Sequence, residues 1–146
     1  MAMTHEERRM IQDLARFRYG LRRFLRFSEK AARSCGVTPQ QHQLLLGIAG
    51  FAEDGAATIS ELAEFLQERN NSVVGLVERA AGAGLVRRRN ATLDRRQVVV
   101  TMTARGARIL AKLSRLHQDE VQRVRAGFGG AARQKAAAPG KRKTAK

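Results

Sequence analysis

The chain has 146 residues, and its 28 Lys and Arg residues outnumber 13 Asp and Glu residues, which gives a formal net charge of +15. This length suffices for one domain with tails, and the 43% of hydrophobic residues exclude a disordered polyelectrolyte. So large a positive excess points to an anionic partner, most often nucleic acid.

Several other classes of protein are disfavoured. No apolar run approaches the ~20 residues of a membrane span, and the first residues lack the apolar segment of a secretory signal. The single cysteine, Cys35, cannot form an intramolecular disulfide, which fits a reducing compartment. We therefore expect a cytoplasmic, nucleoid-associated protein with no membrane partner.

Enzymatic chemistry finds little support in the sequence. The histidines lie far apart, and no zinc-protease, dithiol, phosphate-loop or nucleophile-elbow motif occurs. The one cluster that resembles metal ligands is His117 with Asp119 and Glu120, and a solvated helix face explains it better. The sequence predicts no enzyme activity, no cofactor and no metal.

The first 36 residues predict one long helix. Small or apolar side chains recur at alternating spacings of four and three residues, which is typical of a helix with one apolar stripe. The stripe consists of Met10, Leu14, Phe17, Leu21, Phe24, Ser28, Ala31 and Cys35. It faces either the core of the same chain or a second copy, and Gly36 ends the helix.

A helix-turn-helix is predicted next. Thr38 and Gln41 form a capping box, with a proline at the first helical position, and open a second helix. Residues 50–55 predict a loop, and a second capping box over 58–61 opens a short third helix. A polar turn over 68–72 then leads into a fourth helix, and two short helices joined in this way are typical of a helix-turn-helix.

The rest of the chain predicts a β-wing, a helix and a tail. Two strand-like runs over 85–89 and 97–102 flank a charged tip, and Thr103 caps a last helix that ends at residue 128. From Gly129 onward the chain has no large apolar residue, and all its charges are positive: Arg133, Lys135, Lys141, Arg142, Lys143 and Lys146. We expect this tail to be disordered; without it the chain keeps a charge of +9.

Between Gly36 and Gly106 the sequence resembles the MarR family, the multiple antibiotic resistance regulators. The motifs stand in the family's order and spacing: Gly36-Val37-Thr38 with Gln41, Ile59-Ser60-Glu61-Leu62-Ala63, Leu76-Val77-Glu78-Arg79 with Gly84-Leu85-Val86, Asp94-Arg95-Arg96, and Met102-Thr103-Ala104-Arg105-Gly106. The resemblance implies a winged-helix homodimer that binds palindromic double-stranded DNA near promoters, usually as a repressor. Many members release DNA when a small anionic or phenolic effector binds.

The resemblance also implies the domain organisation. The expected fold class is mainly α with a small β-wing, a winged helix-turn-helix over 37–103 between dimerisation helices over 1–36 and 104–128, followed by the basic tail over 129–146. The further amphipathic helix that the family normally has near its C-terminus is missing. A dimer is therefore expected to use the first and last long helices alone.

Candidate DNA contacts begin at the recognition helix, the second helix of the helix-turn-helix. Asn70, Asn71 and Ser72 lie at its start, which is the end that enters the major groove, and an amide pairs bidentately with adenine. The alternative is that Asn70 or Asn71 merely caps the helix. Arg69, just before the helix, is a candidate for a phosphate contact.

The wing supplies the other candidates. Arginine enters narrow, A·T-rich minor grooves, and the resemblance favours Arg96 for the groove and Arg95 for a phosphate, with Asp94 holding one arginine by a bidentate pair. The alternative is a solvated charged turn. Arg88 is the candidate from the first wing strand, where alternation predicts that at least one of residues 87–89 faces away from DNA.

Effector and redox sites are further hypotheses. His42 occupies a position where family members often carry an aromatic residue near the ligand cavity, and Phe24, Phe27 and Leu45 are candidates for the same cavity. A plain core is the alternative for all four. Cys35 is a candidate redox sensor because nearby cations favour the thiolate, and a half-buried structural thiol is the alternative.

The leading prediction is thus a sequence-specific, homodimeric transcriptional regulator that acts as a repressor and responds to a small effector. The alternative is a basic winged-helix architectural protein of low specificity. Val74 and Gly75 favour that alternative, because many family members carry Thr and a polar or basic residue there. A helical protein-interaction module is the third hypothesis.

Overall fold

A computed structural model describes residues 2–90 and 97–136 of the chain, with side chains described up to residue 127. The elements follow in the order α1 (His5–Ser34), α2 (Pro39–Leu46), β1 (Ala56–Thr58), α3 (Ile59–Leu66), α4 (Asn70–Gly82), β2 (Val86–Asn90), β3 (Val98–Met102) and α5 (Ala104–Ala136). The predicted fold class, mainly helical with a small β-wing, is confirmed.

The chain divides into two compact units. The helical unit contains residues 2–27 of α1 and its N-terminal extension, together with residues 117–136 of α5. The winged-helix unit contains Ser28–Leu116. This second unit extends beyond the predicted 37–103 segment at both ends, because the end of α1 and the start of α5 contribute to its core: Ala32 and Leu113 are fully buried.

Local capping signals fix several helix ends as predicted. At α2, Thr38 Oγ1 accepts the Gln41 N–H at 3.1 Å, and Gln41 Oε1 accepts the Thr38 N–H at 3.0 Å. At α3, Thr58 Oγ1 accepts the Glu61 N–H at 3.2 Å. α1 ends before Gly36, which takes the left-handed φ of +78° that only glycine adopts readily.

One capping box was not predicted. Glu7 Oε2 accepts the Thr4 N–H at 2.7 Å, and Thr4 Oγ1 accepts the Glu7 N–H at 3.1 Å, so α1 begins with a reciprocal pair. The Thr4 backbone N–H, and secondarily its side chain, lower the pKa of the Glu7 carboxyl because they stabilise its charged form. The signal was present in the sequence as Thr4-x-x-Glu7.

The predicted loop over 50–55 contains more regular structure than expected. A π-helical turn (Gly47–Phe51) and a 3₁₀ turn (Glu53–Gly55) lead into β1. β1 pairs antiparallel with β3, so that the sheet order is β1-β3-β2 and Ala57 lies opposite Val100. A three-residue strand is too short to show alternation in sequence, and its hydrogen-bond partners come from β3.

The predicted end of the last helix at residue 128 was wrong. α5 continues through Gly129 and Gly130 to Ala136. Alanine, arginine, glutamine and lysine follow the two glycines, and these are strong helix formers that offset the glycine cost of about 1 kcal/mol each. The remainder of the predicted tail, residues 137–146, lies outside the described residues.

A tight junction joins the wing to α5. The Leu85 carbonyl accepts the Thr103 N–H at 3.0 Å, and the Thr103 hydroxyl donates to the Gly84 carbonyl at 2.6 Å. The same hydroxyl accepts the Gly106 N–H at 3.1 Å, so Thr103 caps α5 as predicted. Gly106 lies directly against the Leu85 carbonyl, and a Cβ at Gly106 would overlap that oxygen.

We predict that Gly106→Ala lowers the free energy of unfolding by about 1–3 kcal/mol, because the backbone of Leu85 cannot move aside and overpacking costs this much. Urea denaturation followed by circular dichroism measures the change. The control is Gly50→Ala, since a Cβ there meets open space. Equal midpoints for the two variants would contradict the assigned close approach.

Candidate nucleic-acid interface

The helix-turn-helix turn is formed by three residues between α3 and α4. Gln67 adopts a left-handed conformation with φ of 53° and ψ of 45°. Its side-chain amide donates a hydrogen bond to the Glu64 backbone carbonyl at 2.7 Å. Arg69 then takes the N-cap position of α4 in an extended conformation. α4 buries Val73, Leu76, Val77 and Ala80 on one face, so its opposite face is directed to solvent.

Asn70, Asn71 and Ser72 form the first turn of α4, and all three are exposed. The alternative that Asn70 or Asn71 caps the helix is wrong, since the N-cap residue is Arg69 and no side chain caps this end. Arg69 is exposed as well. The structure therefore brings the four predicted residues together at the N-terminal end of the recognition helix, with their side chains available to an external partner.

The basic strand β2 lies at an edge of the sheet. Arg87, Arg88 and Arg89 are all exposed, rather than alternately buried. Arg88 Nη1 lies 3.5 Å from Glu78 Oε1 of α4, an ion pair in which both side chains are largely solvated. Such exposed pairs contribute about 0–1 kcal/mol, so Arg88 can exchange this carboxylate for another anion at little cost.

The predicted wing-tip residues Asp94, Arg95 and Arg96 lie outside the described residues. Sequence reasoning did not select Arg79, an exposed residue of α4. Arg79 borders a cleft of about 450 Å³ whose walls also include Ser72, Gln40 and Glu68. The sequence signal for it was a basic residue on the solvent side of the predicted recognition helix.

The predicted effector residues fall in both units. Within the helical unit, Phe24 and Phe27 contact His117 edge-on. Their ring centroids lie 6.0 Å and 5.3 Å, respectively, from the centroid of the His117 ring. Within the winged-helix unit, His42 and Leu45 are buried in the core. His117 is itself buried, so the interpretation of a solvated helix face at this position was wrong, because sequence spacing did not reveal the two rings.

The helical unit contains a cavity of about 540 Å³. Its apolar lining includes Phe17, Phe24 and Val124, and its charged lining consists of Asp13, Arg16, Arg23, Glu120 and Arg123. Arg123 donates to Glu120 at 2.7 Å. Phe24 is the predicted effector residue that borders this cavity; Phe27, His42 and Leu45 are not among its lining residues.

Cys35 is half-buried, and its sulfur lies 4.0 Å from the Ser34 hydroxyl.

Within residues 2–90 and 97–136, no three His, Cys, Asp or Glu side chains group in a way that could hold a metal ion. The helices in the same part of the chain are too short or too polar to cross a membrane.

The three helices α2–α4 with a three-stranded antiparallel sheet define a winged helix-turn-helix protein. The model of the MarR family matches residues 36–97. This match confirms, over that segment of the chain, the resemblance to the MarR family that the motifs indicated, and members of that family are transcriptional regulators rather than enzymes.

Solved structures share this fold at low sequence identity. AbsC, a MarR family transcriptional regulator from Streptomyces coelicolor, is 22% identical, with 85% of this chain and 81% of AbsC covered at a TM-score of 0.70. A MarR variant from E. coli complexed with operator DNA is 20% identical, with 94% and 100% covered at a TM-score of 0.67. BpsR from Bordetella bronchiseptica, whose DNA binding is regulated by 6-hydroxynicotinic acid, is 18% identical, with 84% and 91% covered at a TM-score of 0.62. A comparison with curated proteins finds no match.

We predict that Asn70→Ala and Asn71→Ala each change the free energy of unfolding by less than about 0.5 kcal/mol, because neither side chain caps α4. Thr38→Ala is the comparison, since it removes a capping hydroxyl from α2 and should cost about 1 kcal/mol. Thermal unfolding of the three variants tests this. A loss at residue 70 or 71 as large as that at Thr38 would restore the capping interpretation.

Proposed function

We propose that the chain is a homodimeric repressor that binds a palindromic operator and is released by a small-molecule effector. The observation that carries the proposal is the uncapped first turn of α4, where Asn70, Asn71 and Ser72 present hydrogen-bonding groups to solvent. These groups suit base edges in the major groove. The exposed arginines of β2, in the same unit, suit the phosphates on either side.

The proposed roles divide between affinity and specificity. Arg69, Arg88 and Arg95 contact phosphates, and this electrostatic contribution supplies most of the affinity. The amides of α4 read bases, and Arg96 enters the minor groove. A net charge of +15 supports rapid association with DNA because attraction acts before contact.

The N-terminal half of α1 supports the homodimer. Met10, Leu14 and Phe17 of the apolar stripe are 58%, 60% and 45% exposed, in contrast to the buried Ala31 further along the same stripe. Exposed apolar side chains in a continuous row mark an interaction surface. A second copy of the same helix, with its own row, provides a matching apolar partner.

The test of the proposed function is selection of bound duplexes from a random DNA pool at physiological salt, with the oligomeric state measured by light scattering. We expect an enriched inverted repeat with half-sites about one helical turn apart, since a two-fold symmetric dimer imposes that spacing. A monomer, or the absence of DNA binding even at low salt, would contradict the proposal.

The second candidate function is a low-specificity architectural protein. It is favoured by the apolar Val74, which is 39% exposed on the recognition helix where a hydrogen-bonding side chain would read a base. The same selection separates the two functions. Tight binding at low salt without an enriched sequence, and with a steep salt dependence, identifies the architectural function.

We predict that Leu14→Glu converts the dimer to a monomer, because it places a charge in the middle of the exposed apolar stripe. The control is Gln12→Glu, which adds the same charge to an exposed position on the opposite side of the helix. Sedimentation velocity at micromolar concentration measures the mass. A Leu14→Glu variant that remains dimeric would remove this stripe from the interface.

The effector proposal rests on the cavity in the helical unit. Its volume of about 540 Å³ suits a small molecule, and Phe24 with Arg16 and Arg23 suits an aromatic anion. Titration with benzoate and 6-hydroxynicotinate, each with and without DNA, tests it. Weaker DNA binding in the presence of either compound is expected; no binding of either compound would contradict an aromatic anion as the effector.

A further inference from the structure

In the recognition helix, the guanidinium group of Arg79 lies close to the space that a side chain at Gly75 would occupy. A Cβ built at Gly75 would lie 3.2 Å from Nη1 of Arg79, and apart from the two neighbouring residues and the adjacent helix backbone no other atom comes within 4 Å of that Cβ. The guanidinium of Arg79 therefore lies back along α4, over the space that Gly75 leaves open.

Helix geometry explains this placement. Side chains lean toward the helix N-terminus, and a residue reaches the surface of the turn four positions earlier. The buried residues of α4 include Val73 and Val77, and Gly75 lies between them on the opposite, solvent-facing side. Arg79 begins at the flank of that face. Its reach over Gly75 carries a positive charge toward Asn71, one turn closer to the N-terminal end of the helix.

The charge of Arg79 has no carboxylate partner in the described part of the chain. The neighbouring acid, Glu78, is paired with Arg88 at 3.5 Å, and the other ion pair of the described residues joins Arg123 to Glu120. Arg79 is itself exposed. A planar guanidinium held on an exposed helix face suits hydrogen-bond acceptors from outside the chain.

We propose that Arg79 is a DNA-contacting residue of the recognition helix and that Gly75 is the positioning residue that lets its guanidinium reach there. The proposal rests on the proposed DNA-binding function. The acceptors are DNA oxygen and nitrogen atoms, either the O6 and N7 edge of guanine or a phosphate. Because Gly75 has no side chain, the Arg79 guanidinium can lie against the helix at this point and contact DNA from there.

Gly75 is not required for folding. A helical glycine costs about 1 kcal/mol relative to alanine, and the group that an added Cβ would meet is the far end of a flexible side chain. Gly75→Ala should therefore fold at least as well as the original chain while displacing the guanidinium by a few tenths of an ångström. This separates the effect on DNA binding from the effect on stability.

The experiment is a double-mutant cycle with Gly75→Ala and Arg79→Ala, measured by fluorescence anisotropy on the duplex selected above or, without an enriched sequence, on a random-sequence duplex. Arg79→Ala should weaken binding about tenfold or more. Gly75→Ala should weaken binding about threefold in the original chain and not at all in the Arg79→Ala background, since coupled residues are non-additive. Gly82→Ala in the same helix, where a Cβ meets open space, is the control for helix propensity.

Arg79→Lys and a salt series identify the acceptor. A phosphate contact predicts that Lys preserves most of the affinity and that Arg79→Ala lowers the salt slope by about one. A guanine contact predicts that both substitutions relax the preference at one base position. Unchanged binding of Arg79→Ala, or equal losses from Gly75→Ala in both backgrounds, would overturn the proposal. Absence of binding by the unmodified chain would instead overturn the proposed function on which it rests.

Discussion

The backbone of Leu85 is the contact on which the geometry of the winged-helix unit depends. Its N–H donates a hydrogen bond to the Ala80 carbonyl at the end of α4, and its carbonyl accepts one from the N–H of Thr103, which precedes α5. Both N···O distances are 3.0 Å. The same carbonyl lies against Gly106, and the Leu85 side chain is fully buried. One residue thus fixes where the recognition helix ends, where the wing begins and where the last helix starts. The orientation of the proposed DNA-reading turn follows from this junction as well as from the turn before α4.

The parts of the fold that could be predicted from the sequence depend on interactions between residues close together in the chain. The capping box at Thr38, the hydroxyl cap at Thr58, the glycine after α1 and the cap at Thr103 all involve residues within four positions of each other. The apolar period of α1 likewise needs only the helical repeat. These local signals placed the helix-turn-helix, and with it the exposed residues 69–72 that begin the candidate interface.

The parts that could not be predicted depend on distant partners or on side-chain direction. β1 forms because β3 offers it a free edge, and its three residues carry no alternation of their own. Gln67 takes a left-handed conformation that sequence reasoning assigns to glycine or asparagine. The burial of His117 depends on rings from α1, about ninety positions earlier in the chain. The solvent-side position of Arg79 could be read from the helical repeat, but its place over Gly75 depends on one rotamer, which no spacing rule specifies.

Because β2 lies at an edge of the sheet, its arginines also affect whether the free protein associates with itself. β3 is paired on both sides, whereas β2 leaves one row of backbone hydrogen-bonding groups open at the margin of the sheet. Such a margin is a template for strand addition by another chain and hence for aggregation. Three consecutive exposed arginines oppose this, since two copies approaching edge to edge would bring six like charges together. The basic strand therefore protects the free protein from self-association through the sheet, and substitutions that remove its charge carry a solubility cost.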